Sequence, residues 1–175
     1  WHRANVVGHR TPGYAIVNLS LKSPGIAPGD LTAEQMDRVA DLADRFSLGE
    51  LRVSHRQNLV FTDVRQKELH ELWTELARIS LATANIGTLT DIVACPGLDF
   101  CSLANARAIP VAQDISRHFS DAATLQDIGE LTINISGCMN ACGHHHVGHI
   151  GILGKKKKGQ EFYQLTLGGS SAEDA

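Results

Sequence analysis

The chain has 175 residues, 43% of them apolar, and a formal charge of -3 at pH 7. That is enough apolar material to bury a core without cross-links, and too little basic charge for a surface that binds nucleic acid or membranes. No apolar run reaches membrane-spanning length, and the opening "WHRANVVGHR" lacks the charged head, apolar centre and cleavage site of a signal peptide, so a soluble, cytoplasmic protein is expected.

In chain order, "YAIVNLSL" alternates Val17, Leu19 and Leu21 with Asn18 and Ser20, the period of a half-buried strand. "SPGIAPGD" breaks it as a loop. Thr32 with Gln35 has the form of a capping box, Met36, Val39, Ala43 and Phe46 follow at helical spacing, and Gly49 is the stop. "ELRVSH" and "LVFTDV" read as two short strands joined at "RQN". Asp63 then precedes Gln66 by three, a second capping signal, and Leu69, Leu72, Trp73, Leu76 and Ile79 mark a second helix, with Trp73 on its core stripe. The order β-α-β-β-α is that of a ferredoxin-like α+β sandwich.

From Thr90 the texture changes. "DIVAC" ends a short buried strand at Cys95, "PGLDFC" makes a tight loop to Cys101, and Val111, Ile115 and Phe119 after Pro110 mark a helix. "LTINIS" alternates Leu131, Ile133 and Ile135 as a strand. It leads into "SGCMNACGHHH", two cysteines between glycines followed by three histidines. "HIGILG" and "YQLTLGG" read as two more strands around "GKKKKG", a solvated hairpin tip. The fold expected is α+β: a ferredoxin-like half-domain over residues 1–89, then an α/β cluster-binding subdomain over residues 90–175.

The four cysteines form two close pairs, Cys95 with Cys101 and Cys138 with Cys142, in loops at element ends, where binding residues are presented. A reducing cytosol and a chain of this size argue against disulfides. Structural zinc takes four thiolates, but its pairs are usually spaced C-x2-4-C, and five residues separate Cys95 from Cys101. An iron–sulfur cube tolerates wider, unequal spacings because its corners are separate attachment points. Gly97, Gly137 and Gly143 would let the backbone take positive φ and approach a bulky ligand.

"ACPGLDFC", then "NISGCMNACGHHHVGHIGILG", with the upstream "LRVSHRQNLVF" and the closing "LGG", resembles the second half of the sulfite/nitrite reductase hemoprotein family. The pattern C-x5-C, a long gap, then C-x3-C is that family's signature for a 4Fe–4S cluster coupled to siroheme. The resemblance implies that Cys95, Cys101, Cys138 and Cys142 ligate the cluster, and that Cys142 also bridges to the siroheme iron. It places Asn140 and Gln57 near the macrocycle, and Arg52 and Arg56 in a strand motif whose counterpart in the first half supplies a substrate arginine. The implied chemistry is six-electron reduction of sulfite to sulfide, or nitrite to ammonia, performed by the cofactors while the protein holds them and delivers protons.

Family members are built from two related halves, and the basic clamp for the oxyanion comes largely from the first. With Trp1 and "GGSSAEDA" at its ends, the chain reads as a fragment that carries the cluster-ligating half and is inactive alone. Its expected partners are the missing first half, a ferredoxin or flavoprotein donor and a small oxyanion. His144, His145 and His146 lie outside the shared signature and carry at most a proton-delivery role. Two rival readings are an iron–sulfur electron-transfer module without siroheme and a structural zinc-binding scaffold.

Overall fold

A single helical turn, α1 (His2–Asn5), and a short strand, β1 (Val6–Gly8), open the chain without any periodic signal. Asn5 anchors them: its buried side-chain amide donates to the carbonyls of Asn18 at 2.9 Å and Thr83 at 3.0 Å. The computed structural model describes residues 1–172. The chain divides into two compact units, Trp1–Ser23 with Gly29–Ile86, and Pro24–Pro28 with the residues from Gly87 onward.

In the first unit, alternation builds β2 (Tyr14–Leu19), with Ala15, Val17 and Leu19 buried. The Thr32 signal starts α2 (Ala33–Phe46): the Thr32 hydroxyl accepts the Gln35 N–H, and Gln35 Oε1 accepts the Thr32 N–H, both at 3.1 Å. Val39, Leu42, Ala43 and Phe46 form its buried face, while Met36 is 58% exposed and lies off it. Strands β3 (Leu51–Val53) and β4 (Leu59–Arg65) form the expected hairpin, its turn closed with Gln57 at φ +58°. The helix α3 (Leu69–Arg78) buries Leu69, Leu72 and Leu76. The sheet is antiparallel throughout, in the order β1-β2-β4-β3, and both long helices pack their apolar faces on it. This is the ferredoxin-like α+β arrangement.

Two expectations fail here. Asp63 is no helix cap: it sits inside β4, pairs with His9 Nε2 at 3.3 Å and accepts the Thr62 hydroxyl, while the N-cap of α3 is Glu68, which makes no side-chain cap bond. Trp73 is no core residue either. It is 37% exposed and walls a groove of about 760 Å³ with Trp1, Val6, Leu69 and His70. The stripe Leu69, Leu72, Leu76 already fills the helix–sheet interface, and Trp73 falls one position round the helix from it.

The second unit contains β5 (Val93–Ala94), α4 (Ile109–His118), α5 (Ala122–Ile128), β6 (Ile133–Ser136), β7 (Ile150–Lys157) and β8 (Gln160–Leu167). The sheet order is β5-β6-β7-β8, with the first three strands parallel and β8 antiparallel. Pro110 falls in the first turn of α4, and Ala112 and Ser116 are buried, with Val111, Ile115 and Phe119 packed against the core. The short α5 has no apolar stripe to announce it; the Asp121 carboxylate caps it by accepting the Thr124 N–H at 2.7 Å. All four residues of β6 are buried, as in a central parallel strand covered on both faces, so Asn134 and Ser136 point inward rather than to solvent. The lysine run is not one hairpin tip. Lys155, Lys156 and Lys157 continue β7, and only Lys158 and Gly159, both at positive φ, make the two-residue turn. No helix among the described residues is long and apolar enough to cross a membrane.

Candidate functional site

Strands β5 and β6 run parallel with Val93 opposite Asn134 and Ala94 opposite Ile135, so their C-terminal ends emerge at one edge. Cys95 and Gly137 are the residues that follow, and each opens a cysteine loop there. In open sheets of this kind, ligands bind in the crevice outside the carboxyl ends of the strands. The ladder extends past the strands: the Cys95 N–H donates to the Ile135 carbonyl, and the Gly137 N–H donates to Cys95 Sγ, both at 3.0 Å.

The first loop turns through Gly97–Asp99, and the Cys101 N–H returns to the Gly97 carbonyl at 2.9 Å. Gly97 has φ +60°, and a Cβ there would lie 2.5 Å from the Ala108 nitrogen. The second loop returns through the Ala141 N–H to the Cys138 carbonyl at 3.2 Å and the His144 N–H to the Ala141 carbonyl at 2.7 Å. Here the positive φ values fall on Ala141 and His144, not on Gly137 and Gly143 as expected. Those two glycines serve close approach instead. A Cβ on Gly143 would lie 1.9 Å from the Ile135 carbonyl oxygen; one on Gly137 would lie 2.8 Å from Gly97 Cα. The buried polar residues of β6 complete the second loop. Asn134 Nδ2 donates to the Gly143 carbonyl at 2.9 Å, and Ser136 Oγ accepts the Gly143 N–H at 3.2 Å.

All four cysteines are free thiols. Cys95 and Cys138 are buried, Cys101 is half-buried and Cys142 is exposed. Among the described residues no three His, Cys, Asp or Glu side chains converge on a position for a single metal ion. The donor set itself, four soft sulfurs on two loops tied together, with a backbone N–H already directed at one of them, fits a polynuclear iron–sulfur group. Phe100 and Met139 on these loops, and Leu103 just after the first, are 81%, 84% and 72% exposed.

Asn140 is exposed between the second pair of cysteines. Gln57 and Arg52 belong to the hairpin of the first unit, Gln57 half-buried in its turn and Arg52 exposed, with its guanidinium paired to Glu50 at 2.5 Å. In that turn the buried Lys22 donates its Nζ to the Arg56 carbonyl at 2.5 Å. His145 is half-buried, and its Nδ1 is shielded without a hydrogen-bond partner. Burial, and then the neighbouring His146, hold its pKa below the usual histidine value. His149 is engaged in the scaffold, with Nδ1 accepting the Thr132 N–H at 3.0 Å. Sequence reasoning missed Asn134, Ser136 and Lys22, because alternation reads polar residues as outward-facing.

Residues 9–79 match the family described as the nitrite/sulfite reductase ferredoxin-like half domain. The chain is 30% identical over 166 residues to sulfite reductase (ferredoxin) 2 of Mycolicibacterium paratuberculosis, covering 89% of this chain and 30% of that protein. It is 34% identical over 157 residues to the ferredoxin–nitrite reductase of Synechococcus elongatus, covering 84% of this chain and 29% of that one. Among solved structures, the NirA protein of Mycobacterium tuberculosis superposes with a TM-score of 0.76 at 26% identity, over 98% of this chain and 32% of NirA. The chain thus spans about a third of the length of the relatives it matches.

Proposed function

We propose that the chain is the second-half portion of a sulfite or nitrite reductase, and that Cys95, Cys101, Cys138 and Cys142 hold a 4Fe–4S cluster whose last ligand, Cys142, is shared with a siroheme. The observation that carries this reading is the stitching of both cysteine pairs at the ends of two parallel strands, with Gly137 donating to Cys95 Sγ. When bound, the cluster would supply electrons and the siroheme the iron at which the oxyanion is reduced.

The chain's own residues have distinct tasks in this reading. The Gly137 N–H, directed at Cys95 Sγ, would raise the potential of a cluster held by that sulfur. Buried Cys95 and Cys138 anchor, and exposed Cys142 is the thiolate free to be shared outward. Exposed Asn140, between the second pair of cysteines, is assigned to the macrocycle. The apolar tips Phe100, Leu103 and Met139 suit a surface covered by a cofactor or by the rest of the protein. The basic clamp for sulfite or nitrite belongs to the remaining part of the enzyme, and a ferredoxin or flavoprotein supplies electrons, in the cytoplasm.

The test is the visible spectrum and metal content of the chain after anaerobic reconstitution with iron, sulfide and siroheme, beside a Cys142→Ser variant. Iron with acid-labile sulfide and a siroheme band whose coupling disappears in the variant is the expected result. Iron and sulfide without siroheme would leave an electron-transfer module, and zinc alone would overturn the reading. The chain by itself is expected not to reduce sulfite with an artificial donor; sustained turnover would sink its assignment as an incomplete enzyme.

A further inference from the structure

Outside the cysteine motifs, the segment 104–108 touches both cysteine loops. The Asn105 and Ala106 N–H groups donate to the Gly137 carbonyl at 2.8 and 3.0 Å, and the Ala106 carbonyl accepts the Leu98 N–H at 3.1 Å. One residue, Ala106, therefore ties the second loop to the first. Room for it comes from Gly154 on β7, where a Cβ would lie 2.7 Å from Ala106 Cβ and 2.9 Å from the Gly137 carbonyl oxygen.

Tyr163 stands opposite Gly154 in the β7–β8 ladder, so the aromatic residue lies across from the gap. Its hydroxyl is 2.9 Å from the Arg107 carbonyl and 3.0 Å from Glu161 Oε2, a single phenolic proton between two acceptors. Glu161 Oε2 in turn accepts the Arg107 N–H at 2.8 Å. Arg107 thus has both its backbone groups held by β8, and its side-chain Nε lies 3.7 Å from Asp99 in the first cysteine loop. The protonation states agree with this network: the Arg107 N–H holds the Glu161 carboxyl below its usual range, and burial, then Glu161, pushes the Tyr163 phenol up to about 12.

We propose that Glu161 and Tyr163 are positioning residues for the thiol site: through Arg107 they hold segment 104–108 across both loops and fix the spacing between the Cys95–Cys101 and Cys138–Cys142 pairs. The consequence for a cluster rests on the reading of the thiols given above; the brace itself does not.

The experiment compares the full 175-residue chain with its Tyr163→Phe, Glu161→Ala and Glu161→Gln variants. Amide hydrogen exchange at Asn105 and Ala106 is expected to be about tenfold faster in Tyr163→Phe and Glu161→Ala, with unchanged exchange in the β6–β7 ladder. Glu161→Gln, which keeps a carbonyl acceptor, should restore much of the protection. After reconstitution with iron and sulfide, the reduced cluster should give a broadened paramagnetic resonance signal and lose iron to a chelator about tenfold faster in the first two variants. Wild-type exchange at Asn105 and Ala106 in both variants overturns the brace. Faster exchange with an unaltered resonance signal and iron loss overturns the positioning role. If Glu161→Ala unfolds, the β6–β7 amides report it, and Tyr163→Phe, which removes one oxygen, decides. If the wild type takes up no cluster, the cluster reading fails while exchange still judges the brace.

Discussion

The backbone N–H of Gly137 points at the Sγ of Cys95, 3.0 Å away, so the residue that begins one cysteine loop is hydrogen-bonded to the thiol that begins the other. They are 42 positions apart in the chain. Parallel pairing of β5 with β6 brings them together, and the contact joins the two cysteine motifs.

The contact predicts a difference between thiols in the chain without cofactor. Cys95→Ala leaves the buried Gly137 N–H without its acceptor and should cost about 1 to 3 kcal/mol. Cys142 is exposed, and Cys142→Ala should stay within about 0.5 kcal/mol of wild type. Urea unfolding of both variants checks this; equal midpoints would mean that the sulfur accepts no bond of consequence.

The glycines predict a second ordering. Gly143→Ala forces a Cβ to 1.9 Å from the Ile135 carbonyl oxygen, and Gly137→Ala puts one 2.7 Å from the Ala106 carbonyl oxygen. Because backbone cannot yield as a side-chain tip can, losses of about 3 kcal/mol or more for the first and about 1 to 3 for the second are expected. Gly8, with open space around it and no positive φ, should accept alanine at no loss. Thermal melts of the three variants test the order.

What the sequence made legible was what period and spacing encode: β2, α2 with its cap, the β3–β4 hairpin, α3, and four thiols at strand and loop ends. Where tertiary packing overrode the local signal, the reading failed. Asn134 and Ser136 look outward by alternation, yet a central parallel strand has no outward face. Gly137 and Gly143 look like turn formers, but their missing side chains make room for carbonyls from distant segments. Asp63 fits a capping motif, but the strand runs past it to Arg65 and His9 takes its carboxylate. The brace by Glu161 and Tyr163 has no motif at all, since it depends on the β7–β8 register.

Trp73 supplies a quantitative check on one such failure. Leu72 is fully buried, and Leu72→Ala should cost about 2 to 5 kcal/mol. Trp73, 37% exposed at the edge of the groove, should cost less than about 2 kcal/mol when truncated to alanine, although it is the larger side chain. Chemical denaturation that ranks Trp73→Ala above Leu72→Ala would return Trp73 to the core.

The start of α2 predicts coupling. Thr32→Ala removes a cap worth about 1 kcal/mol. Gln35→Ala removes the reciprocal bond and also the Gln35 Nε2 donation to the Ile79 carbonyl at 3.0 Å, so it should cost at least as much. Because the two side chains share one capping box, the double variant should lose less than the sum, by about 0.5 kcal/mol. Strict additivity in a double-mutant cycle would show that the box does not act as a unit.

The brace on Arg107 should have a pH window set by its two titrating members. The folded Glu161 carboxyl lies below its ordinary value of 4.5, so its contribution is complete above pH 4.5 and is lost as pH falls through the lower folded value. Tyr163 works in the opposite sense. Its folded pKa is about 12 against an ordinary 10.0, so its contribution is complete below pH 10 and is lost as pH rises from 10 towards 12, where the phenol ceases to donate. The Arg107 amide resonance should therefore be flat between these limits, shift below pH 4.5 and shift again above 10. In an ultraviolet titration of phenolate, Tyr163→Phe should remove a step near pH 12. A Tyr163 that ionises near 10, or an Arg107 amide indifferent to acid, would show that β8 does not hold the segment that ties the two cysteine loops.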